Sequence, residues 1–266
     1  MVETKPLHQL MREAGRIVRS AHKKCEDSDT GVEIKPGTAN FVTAYDVAVQ
    51  EFLMTEIQKL YPEAVFIAEE KENDSAMLKE SLCFIIDPID GTTNFIHDYH
   101  ISCISLAIIS GGEAVFGAVY DPYLDELFYA EKGKGAYLDG TPIHVSDRSM
   151  EIAVGAFGTC PYYKDTLAQK TFSLAQDVFL AAADVRRPGA AALDLAYLAA
   201  GRCDLFFEFL LSPWDIAAGT LLIREAGGTV TQLDGSPIDL SAPCSVFAGN
   251  ANTYPALMKL AEHYRA

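Results

Sequence analysis

The sequence contains no uninterrupted apolar run of about 18 residues, which is the length that a membrane-spanning helix needs. Its N-terminus, MVETKPLHQLMREAGRIV, mixes charged with apolar residues and lacks the apolar core of a signal peptide. None of the six cysteines belongs to a CxxC pair, and several lie in apolar runs such as SLCFIID. These absences predict a cytoplasmic protein with buried free thiols, without disulfides or zinc sites, and without membrane contact.

Basic residues are scarce, with 21 Lys and Arg against 37 Asp and Glu and a formal net charge of -16. We therefore expect no broad contact with nucleic acid, because affinity for nucleic acid comes largely from Lys and Arg that neutralise phosphates. A small phosphorylated substrate remains compatible with this charge, since bound cations can reverse the sign of a local site. No GxxxxGKS, GxxxxGKT or GxGxxG run is present, so kinases and Rossmann dehydrogenases find no support.

Apolar residues recur at the spacing of a helix in six segments, near 3–25, 45–60, 166–179, 189–200, 215–226 and 254–264. Short apolar runs at 64–70 and 82–87 predict buried strands, and the alternating segments that follow them predict an antiparallel meander. The second half of the chain alternates strands with helices. No linker or repeat divides the chain, so we expect one domain of layered helices and mixed sheets.

Two sublobes are expected within this single domain of residues 1–266. The first would cover about residues 1–145, with the N-terminal helices and the meander. The second would cover about residues 146–266, where strands and helices alternate. We expect the two sublobes to share a cleft.

The most informative segment is the run IIDPIDGTTNF. An apolar strand ends at Asp87, and Gly91 permits a tight turn into a short helix that starts at Thr92. Asp87 and Asp90 can converge on one cation or bridge two, and hard oxygen ligands suit Mg²⁺, Mn²⁺ or Ca²⁺ better than zinc. Free N–H groups at Gly91 and Thr92 would bind an anion beside these ligands. An isolated DxxDG is most often a capped turn, but the full run indicates a site for phosphoryl transfer.

Two further acidic segments are candidates for the same site. Glu69 and Glu70 follow a buried-type strand, where a solvated pair is the plainer interpretation. Asp215 opens an apolar helix beside Trp214, the single tryptophan of the sequence, and an ordinary N-cap is the plainer interpretation there. Together with Asp87 and Asp90, these segments supply enough carboxylates to neutralise two divalent ions. Two-metal sites of this kind stabilise the attacking and leaving oxygens of an in-line displacement.

The run DPIDGTTNF, followed downstream by WDIAAG and EAGG, resembles the two signature motifs of the inositol monophosphatase family. These phosphatases are related to fructose-1,6-bisphosphatase and to the 3′-phosphonucleotide phosphatases. The match covers nearly the whole chain, in order and with fitting spacings. The resemblance implies a five-layered αβαβα sandwich, usually a homodimer, that is activated by two or three Mg²⁺ ions, with Mn²⁺ as a substitute, and inhibited by Li⁺.

The resemblance also implies roles for individual residues. Metal ligands would be the side chains of Glu69, Asp87, Asp90 and Asp215 and the backbone carbonyl of Ile89. Thr92 would help position the attacking water near Glu69, and Asp46 would form a hydrogen bond with Thr92. Lys35 matches a lysine in a loop near the metals, and Glu70 is the neighbouring acid that would support the ligands.

The resemblance also implies a set of substrate contacts. The expected contacts are Asp90, Gly91, Thr92, Gly189, Ala191, Glu208 and Asp215. Gly189–Ala191 resembles the family's G-S-A segment, and Glu208 matches an acid that accepts a ring hydroxyl. Two departures bear on the substrate: Ala190 stands where a hydroxyl residue is usual, and the segment 209–213 is more apolar than expected around inositol.

These observations favour an enzyme that hydrolyses a small phosphomonoester, with inositol monophosphate as the leading substrate. Fructose-1,6-bisphosphatase or 3′-phosphonucleotide phosphatase activity is an alternative. A bisphosphate would need an extra cationic contact, and Arg186 and Arg187 are the candidates beside the substrate segment. A third possibility is a regulatory protein that keeps the fold and binds a partner through its acidic surface.

Overall fold

The computed structural model describes residues 3–21, 33–34, 41–80 and 82–265. Helices in this part of the chain are α1 (Lys5–Ala21), α2 (Ala44–Leu60), α3 (Thr92–Ile96), α4 (Lys164–Ala181), α5 (Ala191–Ala199), α6 (Pro213–Glu225) and α7 (Thr253–Ala261). Strands are β1 (Glu33–Ile34), β2 (Phe41–Val42), β3 (Val65–Ala68), β4 (Cys83–Asp90), β5 (Cys103–Ser110), β6 (Glu113–Asp121), β7 (Glu126–Glu131), β8 (Gly135–Leu138), β9 (Thr141–Ile143), β10 (Val154–Phe157), β11 (Asp184–Arg186), β12 (Leu205–Leu211), β13 (Thr229–Thr231) and β14 (Cys244–Gly249). None of the described helices is long and apolar enough to cross a bilayer.

A seven-stranded sheet has the order β3-β4-β5-β6-β7-β8-β9. The first pair, β3 and β4, is parallel, and every later pair is antiparallel. The antiparallel meander predicted from the alternating segments is therefore confirmed. Because β3 and β4 run parallel, their carboxyl ends lie at the same edge of the sheet, which is where the acidic segments follow them.

A second sheet has five strands in the order β11-β10-β12-β14-β13. β10 is parallel to both of its neighbours, and β14 is antiparallel to both of its own. Parallel neighbours need a crossover connection, and α4 supplies it between β10 and β11. α5 then leads from β11 to β12, on the far side of β10. The β1–β2 pair is a separate antiparallel ladder.

The seven-stranded sheet buries both of its faces under helices. On one face α1 and α2 pack through Leu7 and Leu53 in the same core as Phe84 of β4. The next residue, Ile85, belongs to the opposite core, as the alternation of side chains along a strand requires. Leu195 of α5 lies in that second core. The apolar run of β4 is therefore explained by helices on both sides of the sheet.

The five-stranded sheet continues this layering. Phe206 of β12 and Ile216 of α6 share the middle core with the seven-stranded sheet. Phe207 points the other way and packs with Leu174 of α4 and Leu257 of α7. The order of layers is α1/α2, seven-stranded sheet, α5/α6, five-stranded sheet, α4/α7. The predicted five-layered αβαβα sandwich is confirmed.

The predicted helices are present, with ends that differ by a few residues. α1 spans Lys5–Ala21, and residues 22–25 of its predicted segment lie outside the described residues. Lys35 and Cys25 lie outside the described residues. The five described cysteines are free and buried. The boundary expected near residue 145 falls between β9 and β10, and the division into two sublobes remains a prediction.

Candidate active site

The parallel pair β3–β4 brings two acidic segments together. Ala68 is paired with Ile86, and the N–H of Glu69 donates to the Ile86 carbonyl at 3.3 Å. Glu69 therefore leaves β3 beside Asp87 of β4. The turn after Glu69 is closed by Asn73, whose amide forms hydrogen bonds with both backbone groups of Ala68, at 2.9 and 2.8 Å.

A bulge in β4 turns Asp87 and Asp90 toward the same side. Asp87 pairs with Ser105 and Asp90 with Cys103, so three steps along β4 (87 to 90) oppose two along β5 (105 to 103). In a regular strand, residues three apart point to opposite faces, and the extra residue of a bulge reverses that relation. Pro88, which has no N–H to donate, lies within the bulge, where its missing hydrogen bond costs nothing.

Asp90 is held by the beginning of α5. Its Oδ2 accepts the N–H of Ala192 at 2.7 Å and lies 3.6 Å from the thiol of Cys103. Gly91 follows in a left-handed conformation (φ 85°), and a side chain there would press on the Ile101 carbonyl at 2.9 Å. Gly91 is therefore required by both backbone conformation and space. α3 begins at the next residue, Thr92, as predicted.

Asp215 is the third residue of α6 and not its N-cap. Ser212 is the N-cap, and its N–H donates to Asp215 Oδ2 at 2.7 Å in a capping box. This corrects the plainer interpretation of Asp215 as an ordinary N-cap. The carboxylate is fixed by the cap, and it keeps acceptor capacity for a second partner.

Asp87, Asp90 and Asp215 form a compact carboxylate cluster. Their ligand atoms lie within 4.8 Å of one another. Burial, with the neighbouring Glu69, Asp90 and Asp215, raises the pKa of Asp87 well above its usual range. Desolvation raises the pKa of Asp90 to about 6 and also raises the pKa of Asp215. No salt bridge in the described part of the chain neutralises these three acids.

This donor set fits a divalent cation. Buried like charges are costly unless they are paired or bind a metal. Carboxylate and carbonyl oxygens are the ligands that Mg²⁺ and Mn²⁺ prefer. Glu69 is close enough to raise the pKa values of Asp87 and Asp215, and the buried Ile89 lies between Asp87 and Asp90. The residues predicted as metal ligands are thus brought together, and their role as ligands remains a prediction.

Asp46 and Thr92 meet at the edge of this cluster. The Thr92 hydroxyl lies 3.4 Å from Asp46 Oδ1 and 3.1 Å from the Ile89 carbonyl oxygen. The other carboxylate oxygen of Asp46 accepts the N–H of Thr43 at 2.8 Å and caps α2. Burial raises the pKa of Asp46 to about 6. Asp46 therefore connects the start of α2 with the start of α3.

The substrate side of the site is a cavity of about 440 Å³ beside the cluster. Gly189, Ala190 and Ala191 line it, with Gly189 in a left-handed conformation (φ 92°) just before α5. Glu208 also lines it, from within β12. Its Oε1 accepts the N–H of Cys160 at 2.8 Å, and burial raises its pKa to about 7.

Glu70 and the two arginines occupy different positions around the cavity. The backbone of Glu70 is held by the Gln50 amide, at 3.1 and 2.9 Å, and its charge acts on Asp46. Arg187 lines the cavity, and its guanidinium donates to the Thr159 hydroxyl at 2.8 and 3.2 Å. Arg186 instead pairs with Asp184 and is not among the described residues that line the cavity.

Asp194 and Tyr162 are among the residues of the cavity wall that were not predicted from the sequence. Asp194 is buried there, and burial together with Asp90 and Glu208 raises its pKa well above its usual range. It is the single charged residue of the otherwise apolar α5, and this was a usable signal. Tyr162 lies in the turn Pro161–Tyr163, and nothing in its local sequence indicated a place in the site.

The fold and the site thus define a layered α/β protein with a carboxylate cation site at the edge of a cavity. A profile of the inositol monophosphatase family matches residues 3–266. The chain belongs to the inositol monophosphatase family. It is 37% identical to Nus factor SuhB of Escherichia coli (strain K12) over 95% of each chain. It is 34% identical to inositol-1-monophosphatase of Bacillus subtilis (strain 168), over 96% of this chain and 94% of that one.

A solved structure supports the same assignment. The extragenic suppressor protein suhB from Bartonella henselae superposes with a TM-score of 0.86 at 35% identity, over 96% of each chain. The similarity therefore includes both sheets and the helices between them.

The raised pKa values predict how stability depends on pH without metal. For Asp46, Asp90 and Glu208, with folded pKa values of about 6, 6 and 7, the folded state binds more protons than the unfolded state. Stability should therefore fall as pH rises from about 4 to 7. A pKa raised by two units corresponds to roughly 3 kcal/mol. We expect the melting temperature in EDTA to be several degrees lower at pH 8 than at pH 5.

Adding Mg²⁺ should reverse this loss at pH 8 and have little effect at pH 5, where protonated acids bind metal weakly. Matched ionic strength from NaCl controls for the screening of surface charge. A metal-free melting temperature that is constant or rises from pH 5 to pH 8 would contradict the prediction.

Proposed function

We propose that this protein is a Mg²⁺-dependent phosphatase that hydrolyses a small phosphomonoester. The observation that carries this proposal is the cluster of Asp87, Asp90 and Asp215 within 4.8 Å, at the edge of a cavity and without a neutralising lysine or arginine in the described residues. Such a cluster is stable in ionised form only with cations, and cations beside a cavity suit phosphoryl transfer.

Two or three Mg²⁺ ions, or Mn²⁺ in their place, would be held by Glu69, Asp87, Asp90, Asp215 and the Ile89 carbonyl. When bound, they would supply Lewis acidity, which polarises phosphoryl oxygens and makes water more acidic. The bulge of β4 and the cap of α6 hold three of these side chains in place before any ligand binds. This preorganisation is what precise charge stabilisation requires.

Thr92 and Asp46 would orient the attacking water near Glu69. The Thr92 hydroxyl oxygen lies 3.1 Å from the Ile89 carbonyl oxygen and 3.4 Å from Asp46 Oδ1, so it can donate its one proton to either acceptor. With its proton engaged, the Thr92 oxygen can accept a hydrogen bond from water. That bond would turn a lone pair of the water toward phosphorus for in-line attack. The N–H groups of Gly91 and Thr92 would donate to phosphate oxygens.

Inositol monophosphate is the substrate that we propose first. The similarity to the Bacillus subtilis relative, which carries the name inositol-1-monophosphatase, supports this choice. Glu208 and the backbone of Gly189–Ala191 would contact the cyclitol. The alternative is a bisphosphate or phosphonucleotide, and it is favoured by Arg187, which lines the cavity while Arg186 does not. A homodimer in the cytoplasm remains part of the proposal.

A second candidate function is regulatory binding of a partner. The observation that favours it is the name Nus factor SuhB, which the 37% identical relative carries. A pure binding protein would have no need for the metal ligands, and all of them are present here. We therefore place phosphatase activity first.

A panel of phosphate esters tests the proposed function directly. Phosphate release from inositol-1-phosphate, fructose-1,6-bisphosphate, a 3′-phosphonucleotide and p-nitrophenyl phosphate would be measured with Mg²⁺, with EDTA and with added Li⁺. We expect release that needs Mg²⁺, is inhibited by Li⁺ and is fastest on inositol-1-phosphate. Metal binding without hydrolysis of any ester would favour the regulatory function instead.

Glu208→Gln should lower the preference for polyhydroxylated substrates. Glutamine keeps an acceptor for the Cys160 N–H, while its NH₂ cannot accept a hydrogen bond from a ring hydroxyl. A charge-assisted hydrogen bond contributes about 1.5–3 kcal/mol, which is roughly a ten- to hundredfold change in kcat/KM. The measured quantity is the ratio of kcat/KM on inositol-1-phosphate to that on p-nitrophenyl phosphate.

Asp204→Asn is unsuitable as a control because Asp204 is part of a buried network with Arg148. Glu151→Gln is suitable, since Glu151 is exposed and is not among the described residues that line the cavity. An unchanged ratio in Glu208→Gln would remove Glu208 from the substrate site.

A further inference from the structure

Tyr162 is a member of the cavity wall that the proposed function does not use. It lies at the middle of the turn Pro161–Tyr163, and 48% of the residue is exposed. In the part of the chain that the structure describes, its hydroxyl has no hydrogen-bond partner. A phenol in a polar cavity therefore has a donor to offer to a ligand.

The turn that carries Tyr162 is fixed to β12 by the residue before it, Cys160. Cys160 has a left-handed backbone (φ 43°), which is uncommon for a residue with a side chain. Its N–H donates to Glu208 at 2.8 Å and its thiol to the Leu210 carbonyl at 3.4 Å. Its own carbonyl accepts the N–H of Tyr163 at 2.8 Å. The position of Tyr162 is therefore set by β12 and not by a free loop.

The charged groups that act on Tyr162 are hydrogen-bond acceptors. Its phenol is within electrostatic reach of four acids, Glu69, Asp87, Asp90 and Asp215. Carboxylates only accept hydrogen bonds, so a phosphate bound beside them needs donors from elsewhere. The one cation on the described cavity wall, Arg187, already donates to Thr159. A neutral hydroxyl can donate a hydrogen bond to a phosphate without competing with a metal ion for the carboxylates.

We propose that Tyr162 binds the substrate by donating a hydrogen bond from its phenol hydroxyl to a phosphate oxygen. The inference rests on the proposed function, because it assumes that the phosphate of the ester binds at the carboxylate cluster. Since the contact is with phosphate and not with the alcohol, it serves every phosphomonoester that the site accepts. It also predicts that inorganic phosphate, the product, is bound by the same hydroxyl.

Tyr162→Phe tests this assignment through binding as well as through activity. Trp214, the single tryptophan of the sequence, lines the same cavity, so its fluorescence can follow titrations with Mg²⁺ and then with inorganic phosphate. We expect the Kd of phosphate to rise about tenfold or more, because the acceptor is charged. The Mg²⁺ titration should be unchanged. kcat/KM should fall by a similar factor on inositol-1-phosphate and on p-nitrophenyl phosphate.

Tyr163→Phe is the matched control. Tyr163 is the next residue, is 50% exposed, and is not among the described residues that line the cavity. It should behave as the wild type in each measurement, and melting temperatures should show that both variants fold. Phosphate binding that is undetectable in the wild type, or unchanged in Tyr162→Phe, overturns the assignment. So does a loss of kcat/KM that is confined to one substrate.

These outcomes separate the two proposals. A wild type that binds phosphate in the presence of Mg²⁺ but hydrolyses no ester removes the proposed function. Weakened phosphate binding in Tyr162→Phe would still support the hydrogen bond in that case. A wild type that is active, with an equally active Tyr162→Phe, removes the hydrogen bond and leaves the phosphatase.

Discussion

Replacing Asp87 or Asp215 by asparagine is expected to leave a folded protein that has lost nearly all hydrolysis, by two to three orders of magnitude. Asparagine keeps the shape of the side chain but removes the charge that would hold a divalent cation. Each tenfold loss corresponds to about 1.4 kcal/mol of barrier. The measurement is phosphate release at saturating Mg²⁺.

The same substitutions should not lower the stability of the metal-free protein at neutral pH. Burial and neighbouring acids raise the pKa values of Asp87 and Asp215, so their ionised forms destabilise the fold without a cation. We expect the melting temperature in EDTA at pH 7.5 to be equal to or above that of the wild type. The increase of the melting temperature with Mg²⁺ should be smaller than in the wild type.

Asp165→Asn is the control for these two variants, since Asp165 is an exposed acid in the first turn of α4. It should retain both activity and the response to Mg²⁺. If Asp87→Asn or Asp215→Asn keeps more than about a tenth of the wild-type rate, the barrier has changed by less than about 1.4 kcal/mol. The assignment of the carboxylates to metal binding would then be wrong.

Local patterns in the sequence predicted most of the elements but not their arrangement. The apolar stripe predicted α1, and the continuous apolar run predicted β4 as a strand that is buried on both faces. Patterns within one element do not predict the strand order β11-β10-β12-β14-β13, because that order depends on which strands the crossover connections bring together. The layer order followed from the family resemblance, and the cores on both sides of α5 and α6 explain it physically.

The candidate site was predictable where a motif is contiguous and less so where chain-distant segments meet. Asp87 and Asp90 were found through DPIDG, but the bulge that turns both to one side is visible only in the pairing with β5. Glu208 was expected to contact the substrate, and only the structure shows that it also accepts a hydrogen bond from the N–H of Cys160. Tyr162 lines the cavity only because the hydrogen bond between Cys160 and Glu208 fixes the turn that carries it.

Thr92 and Asp46 are expected to act as a unit, so their substitutions should not have additive effects. Thr92→Ala removes the hydroxyl that would orient the water. Asp46→Asn keeps an oxygen for the Thr43 N–H at the cap of α2, while an NH₂ can take the place of the oxygen 3.4 Å from the Thr92 hydroxyl. That hydroxyl would then meet a donor and turn its proton away. Each single change should lower kcat about a hundredfold, within the range for removing one positioned hydrogen-bonding group.

The double variant Thr92→Ala with Asp46→Asn should cost little more than the worse single change, because the second substitution removes support for a group already lost. Thr93 offers a matched comparison. It is the next residue of α3 and lines the cavity, and no hydrogen bond to Asp46 is found for it among the described residues. Thr93→Ala with Asp46→Asn should therefore show multiplicative losses. Multiplicative losses for the Thr92 pair as well, at unchanged melting temperature, would mean that Asp46 affects the reaction by a route that does not pass through the Thr92 hydroxyl.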